Sequence, residues 1–174
     1  VVSITALDFL NTKQIEKILV SRSAVEVGKS LGFLPGDLKD KFNPYMEALI
    51  ENLYKCTDKI KIDEFVKAGK IIALPVQFIR GKTIDDILIV EEAQNLTKSE
   101  MEAILTRLGK TGKIIINGDQ SQRDINVDKE SGGITGLDFA IELSKHINGI
   151  EHIKLKENHR SGIVGDILDY IYGK

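Results

Sequence analysis

Cysteine is almost absent from this sequence: Cys56 is the only one among 174 residues. A lone cysteine excludes an internal disulfide framework and fits a reducing cytoplasm. With Leu53, Tyr54 and Lys55 just before it, Cys56 reads as a packing residue at a helix end rather than a nucleophile. Long apolar runs are missing as well. Nothing approaches the ~20 residues of a membrane-spanning helix, so no membrane partner is expected, and no signal-peptide pattern is visible. Neither sign of charge is in excess: 24 basic and 26 acidic residues leave a net charge of −2. That balance removes any chain-wide electrostatic reason to expect nucleic acid, while leaving room for a local basic groove. Internal repeats and low-complexity tracts are not found. What is present is the composition of an ordinary globular protein, 42% apolar and 29% charged, in a length that suits one domain over 1–174 with a buried core.

Short aliphatic runs recur, each followed by a helical stretch. Residues 17–21 (KILVS), 70–76 (KIIALPV), 87–91 (ILIVE) and 113–117 (KIIIN) read as strands, with 152–155 (HIKL) as a weaker fifth. They lack polar alternation, which suits strands covered on both faces. Helical spacing marks 2–11, 44–56, 99–108, 136–146 and 162–172. Tyr45, Leu49 and Leu53 share one helix face behind Pro44, a residue suited to a first turn. Thr97, with Glu100 three residues on, forms a capping-box pattern, and Gly109 marks the expected end of that helix. The alternation of strand and helix predicts a mainly parallel α/β sheet with helices on both faces. Residues 22–43, rich in glycine and charge, read as a structured excursion at the C-terminal edge of the sheet.

Three strand ends carry side chains suited to chemistry. Residues 87–90 lead straight into Glu91 and Glu92, then Ala93, Gln94 and Asn95. In a parallel sheet the C-terminal ends of the strands face the ligand. Adjacent carboxylates point to different sides, so one can hold Mg²⁺, directly or through water, while the other orients an attacking water. Magnesium keeps several of its own waters and needs little protein ligation. Taken alone, the pair reads equally well as a solvated acidic loop. The second strand end runs through Asn117, Gly118, Asp119, Gln120, Ser121 and Gln122. Gly118 permits a close backbone approach, and the Gln122 amide can donate to a γ-phosphate or place a water; the bland reading is a polar turn. The third is Glu157-Asn158-His159-Arg160-Ser161. Arg160 there can clamp phosphate with its planar fork, or serve in a surface ion pair. His159 beside it gives weak grounds for catalysis.

Taken jointly, Arg22-Ser23-Ala24-Val25, Gly32-Phe33-Leu34-Pro35-Gly36-Asp37, Phe78-Ile79-Arg80-Gly81-Lys82-Thr83, Glu91-Glu92-Ala93-Gln94-Asn95 and Gly118-Asp119-Gln120-Ser121-Gln122 resemble the PhoH family. They stand in that family's order and cover nearly the whole chain. The Gly118-Asp119-x-x-Gln122 and Asn158-x-Arg160-Ser161 patterns also resemble the superfamily 1 helicase core. The resemblance implies an ATP-binding domain with a RecA-like P-loop fold, a three-layer sandwich around a mainly parallel sheet, using ATP and Mg²⁺. Family members are associated with phosphate starvation, and some with RNA unwinding or ring-shaped oligomers. Carried onto this chain, Glu92 orients or activates water, Glu91 holds Mg²⁺ through water, and Gln122 senses the γ-phosphate. Arg160 stabilises transition-state charge within its own subunit or across an interface. Gln94, Gly118 and Asp119 join them as nucleotide-site residues. Arg80 is a lesser candidate for the same site, and Arg22 for a nucleic-acid or coupling surface; an ion pair is an equal reading for each.

Two departures from the family pattern stand out. The family's acidic pair begins with aspartate, whereas Glu91 stands here, and its extra methylene moves the carboxylate outward, toward water-mediated coordination. No Gly-x-x-x-x-Gly-Lys-[Ser/Thr] occurs in the chain, so the backbone N–H cradle and lysine of that loop are missing from it. In the resemblance Val1 falls roughly one helical turn after the loop, so the expectation is a fragment that lacks the loop and the strand feeding it. The expected function is a cytoplasmic ATPase core coupled to RNA, single-stranded nucleic acid or another remodelling task, with homo-oligomers in view. The competing expectation is a non-hydrolysing module that binds nucleic acid or protein and has an incomplete nucleotide site.

Overall fold

Parallel strands cannot be joined by tight turns, so each pair needs a crossover of a dozen or more residues. The chain is laid out around that need. The computed structural model describes residues 2–22, 50–123 and 133–155, with Glu47, Gly162, Ile163, Asp166, Ile167 and Tyr170. Helix α1 (Val2–Asn11) leads into strand β1 (Ile18–Arg22). Residues 50–54 are helical, and helix α2 (Lys59–Lys67) completes the crossover to β2 (Ile71–Ala73). The 3₁₀ turn η1 (Val76–Phe78) precedes β3 (Ile87–Glu91). A second 3₁₀ turn, η2 (Ala93–Asn95), and helix α3 (Lys98–Leu105) lead to β4 (Lys113–Ile116), and α4 (Gly136–Ser144) follows. The strands make one four-stranded sheet in the order β2-β1-β3-β4, every pair parallel. This is the expected α/β arrangement, a parallel sheet flanked by helices and consistent with a RecA-like P-loop fold.

The core sits where the aliphatic runs meet the helices. Ala6, Leu7 and Leu10 of α1, Leu53, and Ile62 of α2 pack with Ile18, Val20, Ile71, Ile87 and Ile89 of the sheet. Alternate residues of a strand point to opposite faces, so Leu88 and Val90 look the other way, and both are fully buried. Residues 87–90 are each at most 1% exposed, which makes β3 a central strand covered on both faces. Each such side chain contributes about 1.5–3 kcal/mol of burial. Pairing sets Arg22 of β1 opposite Glu91, and Val90 opposite Ile116 of β4. The C-terminal ends of β1, β3 and β4 therefore finish at one level.

Several local expectations change in the folded chain. Strand 70–76 shortens to Ile71–Ala73; Leu74 still donates to Val20 O, but Pro75 has no N–H for the ladder and caps η1. Helix α2 has no counterpart in the sequence reading; Asp58 opens it by accepting from Ile60 N. The capping box of Thr97 and Glu100 is present, and α3 begins at Lys98 as a result. It ends at Leu105 rather than 108, because Leu108 leaves to bridge Ile84. Gly109 is accordingly no helix terminator: a Cβ there would overlap the Asp85 carboxylate. The weak fifth strand, 152–155, does not form; those residues are exposed and without regular structure, and no ladder partner stands beside them among the described residues. The helix expected over 136–146 stops at Ser144. Gly162, Ile163, Asp166, Ile167 and Tyr170 are helical, and so is Glu47. The excursion at 22–43, apart from Arg22, and the segment 156–161 with Arg160 lie outside the described residues.

The chain divides into two compact units, Val1–Phe139 and Ala140–Lys174. The first contains the sheet. In the second, Glu142 accepts from Lys145 and His146 within one helical turn. Among the described residues no helix is long and apolar enough to cross a membrane.

Candidate functional site

Strand β3 ends in Glu91, and the next residue breaks the extended backbone. Glu92 has φ 52° and ψ 43°, in the left-handed region. A side-chain-bearing residue held there costs about 1–3 kcal/mol, and such residues gather at functional sites. The bend sends the two carboxylates to different partners. Glu91 Oε1 accepts from Asn117 Nδ2 at 3.1 Å. Glu92 Oε2 accepts from Gln94 Nε2 at 2.6 Å, and η2, which follows directly, carries that glutamine.

The exit of β4 is fastened to the same turn. Asn117 N donates to Val90 O at 2.8 Å, and Ala93 N donates back to Asn117 O at 2.9 Å. Gln94 sits beneath, 1% exposed. Its Nε2 also donates to Gln122 O at 3.2 Å, and its Oε1 accepts from Asp119 N at 3.1 Å. Gly118 makes the approach possible: a Cβ there would stand 2.9 Å from Gln94 Oε1 and 2.9 Å from Leu137 Cδ2. Beyond it the chain forms a turn around Asp119. Its Oδ1 accepts from Ser121 N and Oγ, and its Oδ2 from Gln122 Nε2.

The far side of this loop is anchored at the start of α4. Asp138 accepts from Gln120 Nε2 at 2.7 Å and from Arg123 at 2.8 Å. It also accepts from Thr135 N and Oγ1, each at 2.9 Å, while Asp138 N donates to Thr135 Oγ1 at 3.1 Å. The last three bonds are the reciprocal cap of a helix start, here with aspartate in the third position. Burial pushes the Asp138 carboxyl up. The hydrogen bonds from Thr135 and Gln120, with the Arg123 charge, outweigh it and hold the group below its ordinary value.

Of the residues singled out in sequence, Glu91, Glu92, Gln94, Gly118, Asp119 and Gln122 are brought together at the adjoining ends of β3 and β4. Arg80 lies exposed on the turn after η1. Arg22 ends β1, with Glu91 as its neighbour in register. Sequence reasoning passed over Asn117 and Asp138. The Thr135-x-x-Asp138 spacing at a helix start was the available sign for the second; for Asn117 there was only its place at a strand end.

Among the described residues no group of three or more His, Cys, Asp or Glu side chains gathers as a metal cage. Magnesium does not need one, since it is commonly held by one or two carboxylates with water and substrate phosphate completing the shell. Glu91 fits that part: one oxygen is fixed by Asn117, and the side chain is only half-buried at the strand end.

Fold and site together define an α/β protein with paired carboxylates and a Gly-Asp-x-x-Gln loop at the C-terminal edge of a parallel sheet. The PhoH-like protein family matches residues 1–172. A PhoH-like protein of Bacillus subtilis (strain 168) is 40% identical over 169 residues, covering 95% of this chain and 52% of the relative. A PhoH-like protein of Mycobacterium tuberculosis (strain H37Rv) is 38% identical over 169 residues, covering 94% and 46%. Protein PhoH of Escherichia coli (strain K12) is 34% identical over 140 residues, covering 79% and 38%. The chain belongs to the PhoH-like family, and spans about half the length or less of these relatives.

Proposed function

We propose that the adjoining ends of β3 and β4 form the hydrolytic edge of an ATPase. The observation that carries this reading is the arrangement of Glu92, in a left-handed turn, beside a glycine-led loop that presents Gln122. In this reading the Glu92 carboxylate takes a proton from a water as the water oxygen bonds to the γ-phosphorus. The bond from that phosphorus to the β,γ-bridging oxygen breaks, ADP and phosphate leave, and the proton passes from Glu92 to solvent. A positioned base of this kind contributes roughly 10²–10⁴ in rate. Gln122 donates one side-chain N–H to Asp119 and offers the other to the γ-phosphate. Glu91, steadied by Asn117, would hold Mg²⁺, which when bound would neutralise charge on the phosphates. Gln94, Gly118 and Asp119 shape the nucleotide edge. Arg160 is assigned to transition-state charge and Arg80 to an outlying nucleotide contact. Coupling to RNA or single-stranded nucleic acid, assembly into homo-oligomers and a cytoplasmic location belong to the same proposal.

The test is Glu92→Gln in the protein at its natural full length. Turnover is expected to fall about a hundredfold or more, while ATP binding in the presence of Mg²⁺ stays intact. Unchanged turnover would reduce Glu92 to a strand-end charge.

A further inference from the structure

We propose that Gln94 is a positioning residue for this reaction: its buried amide holds the Glu92 carboxylate and the loop from Gly118 to Gln122 in one fixed relation, and it does so without touching nucleotide. The inference rests on the hydrolytic reading of the site. Gln94 is 1% exposed, so it stands behind the edge that a nucleotide would reach. Its polar atoms are all engaged by protein. Nε2 donates to Glu92 Oε2 at 2.6 Å and to Gln122 O at 3.2 Å, and Oε1 accepts from Asp119 N at 3.1 Å. A primary amide has two N–H donors and one carbonyl oxygen, and here each has a partner.

The partners are what make this more than packing. One is the carboxylate proposed to act on water. The other two are main-chain groups bracketing the loop whose side chain is proposed to meet the γ-phosphate. The carboxylate follows β3 and the two main-chain groups follow β4, with Gln122 lying 28 positions along the chain from Gln94. A single side chain therefore sets the distance between base and phosphate contact. Only an amide of this length serves. Glutamate keeps the acceptor for Asp119 N but loses both donors and sets a like charge beside Glu92. Methionine fills a similar volume and makes none of the three bonds. Gly118 closes the bracket from the other side, since any Cβ there would press on Gln94 Oε1 at 2.9 Å.

Near-attack geometry is sensitive: a displacement of about 1 Å can cost roughly a hundredfold in rate. In the natural full-length protein, Gln94→Met is expected to lower kcat about 10- to 100-fold and leave KM for ATP within about threefold of wild type. Gln94→Glu should lower kcat further. In the chain itself, Gln94→Met should speed hydrogen exchange at the Asp119 amide and leave Ile89 and Val90 protected. Gly118→Ala perturbs the same bracket with Gln94 intact, and should also lower kcat; it serves if Gln94→Met does not fold. A kcat unchanged in Gln94→Met, or in Gly118→Ala where it takes that place, overturns the proposal. So does a loss confined to KM, which would make Gln94 a nucleotide contact. A wild-type protein without ATP hydrolysis overturns the underlying reading instead, and shows this before any variant is compared.

Discussion

Glu91 and Glu92 are neighbours in sequence but are held by different groups, Asn117 and Gln94. In the proposed reading, that division leaves one acid for a metal and the other for a water. Asn117 does this from the position just after β4, with its main chain already bonded to Val90 and Ala93, so its side chain can be removed without undoing the ladder. Asn117→Ala should leave Glu91 free to swing. Partners that orient a metal-binding carboxylate are typically worth 10- to 100-fold in metal affinity. The Mg²⁺ concentration for half-maximal hydrolysis is therefore expected to rise about tenfold, with little change in thermal midpoint. An unaltered Mg²⁺ dependence would separate Glu91 from the metal.

The loop after β4 is an element with two anchors, Gln94 beneath it and Asp138 at its outer side. Asp138 also caps α4 through Thr135, so one carboxylate joins the loop to a helix start. The folded state holds this group below its ordinary value. Its stabilising effect is thus complete above the unfolded value of about 3.9, and is lost as pH falls through the lower folded value. Asp138→Asn is expected to cost about 0.5–2 kcal/mol at pH 7, in the range of a lost helix cap. That corresponds to a few degrees in thermal midpoint for a chain of this size. The gap between wild type and variant should narrow as the pH drops below about 4. Thermal melts between pH 7 and pH 3 provide the check, and a gap independent of pH would remove Asp138 from this role.

In the molecule taken whole, the sheet ends at β4 among the described residues, and Ile114, Ile115 and Ile116 there are only half-buried. The edge proposed to be hydrolytic lies at the ends of β3 and β4, while the phosphate-cradling motif does not occur in the chain. Backbone N–H groups and a lysine of that motif supply most contacts to the phosphates. The chain alone is therefore expected to bind Mg·ATP weakly, without a measurable low-micromolar isotherm in calorimetric titration. Low-micromolar affinity would mean that other residues of this chain cradle the phosphates.

The strands β1, β3 and β4 were legible in the sequence because each is an unbroken aliphatic run, and burial on both faces demands that composition. The acidic pair and the Gly-Asp-x-x-Gln loop were legible for a related reason: each follows such a run directly. Helix α2 was not. Its KIKI opening alternates like a strand, although Ile60 is 69% exposed and Ile62 fully buried; the helix is set by the Asp58 cap and by packing against the sheet. The run at 152–155 shows the converse, an aliphatic pattern that has no ladder partner among the described residues and forms no strand. The working details of the site depend on contacts of the same long-range kind. In sequence Gln94 reads, through the family resemblance, as a nucleotide-site residue beside an acidic pair, with no sign that it is buried. Its burial, and its three bonds to Glu92, Asp119 and Gln122, follow from the register of β3 against β4. Side-chain packing across the sheet sets that register, and no local stretch of sequence contains it.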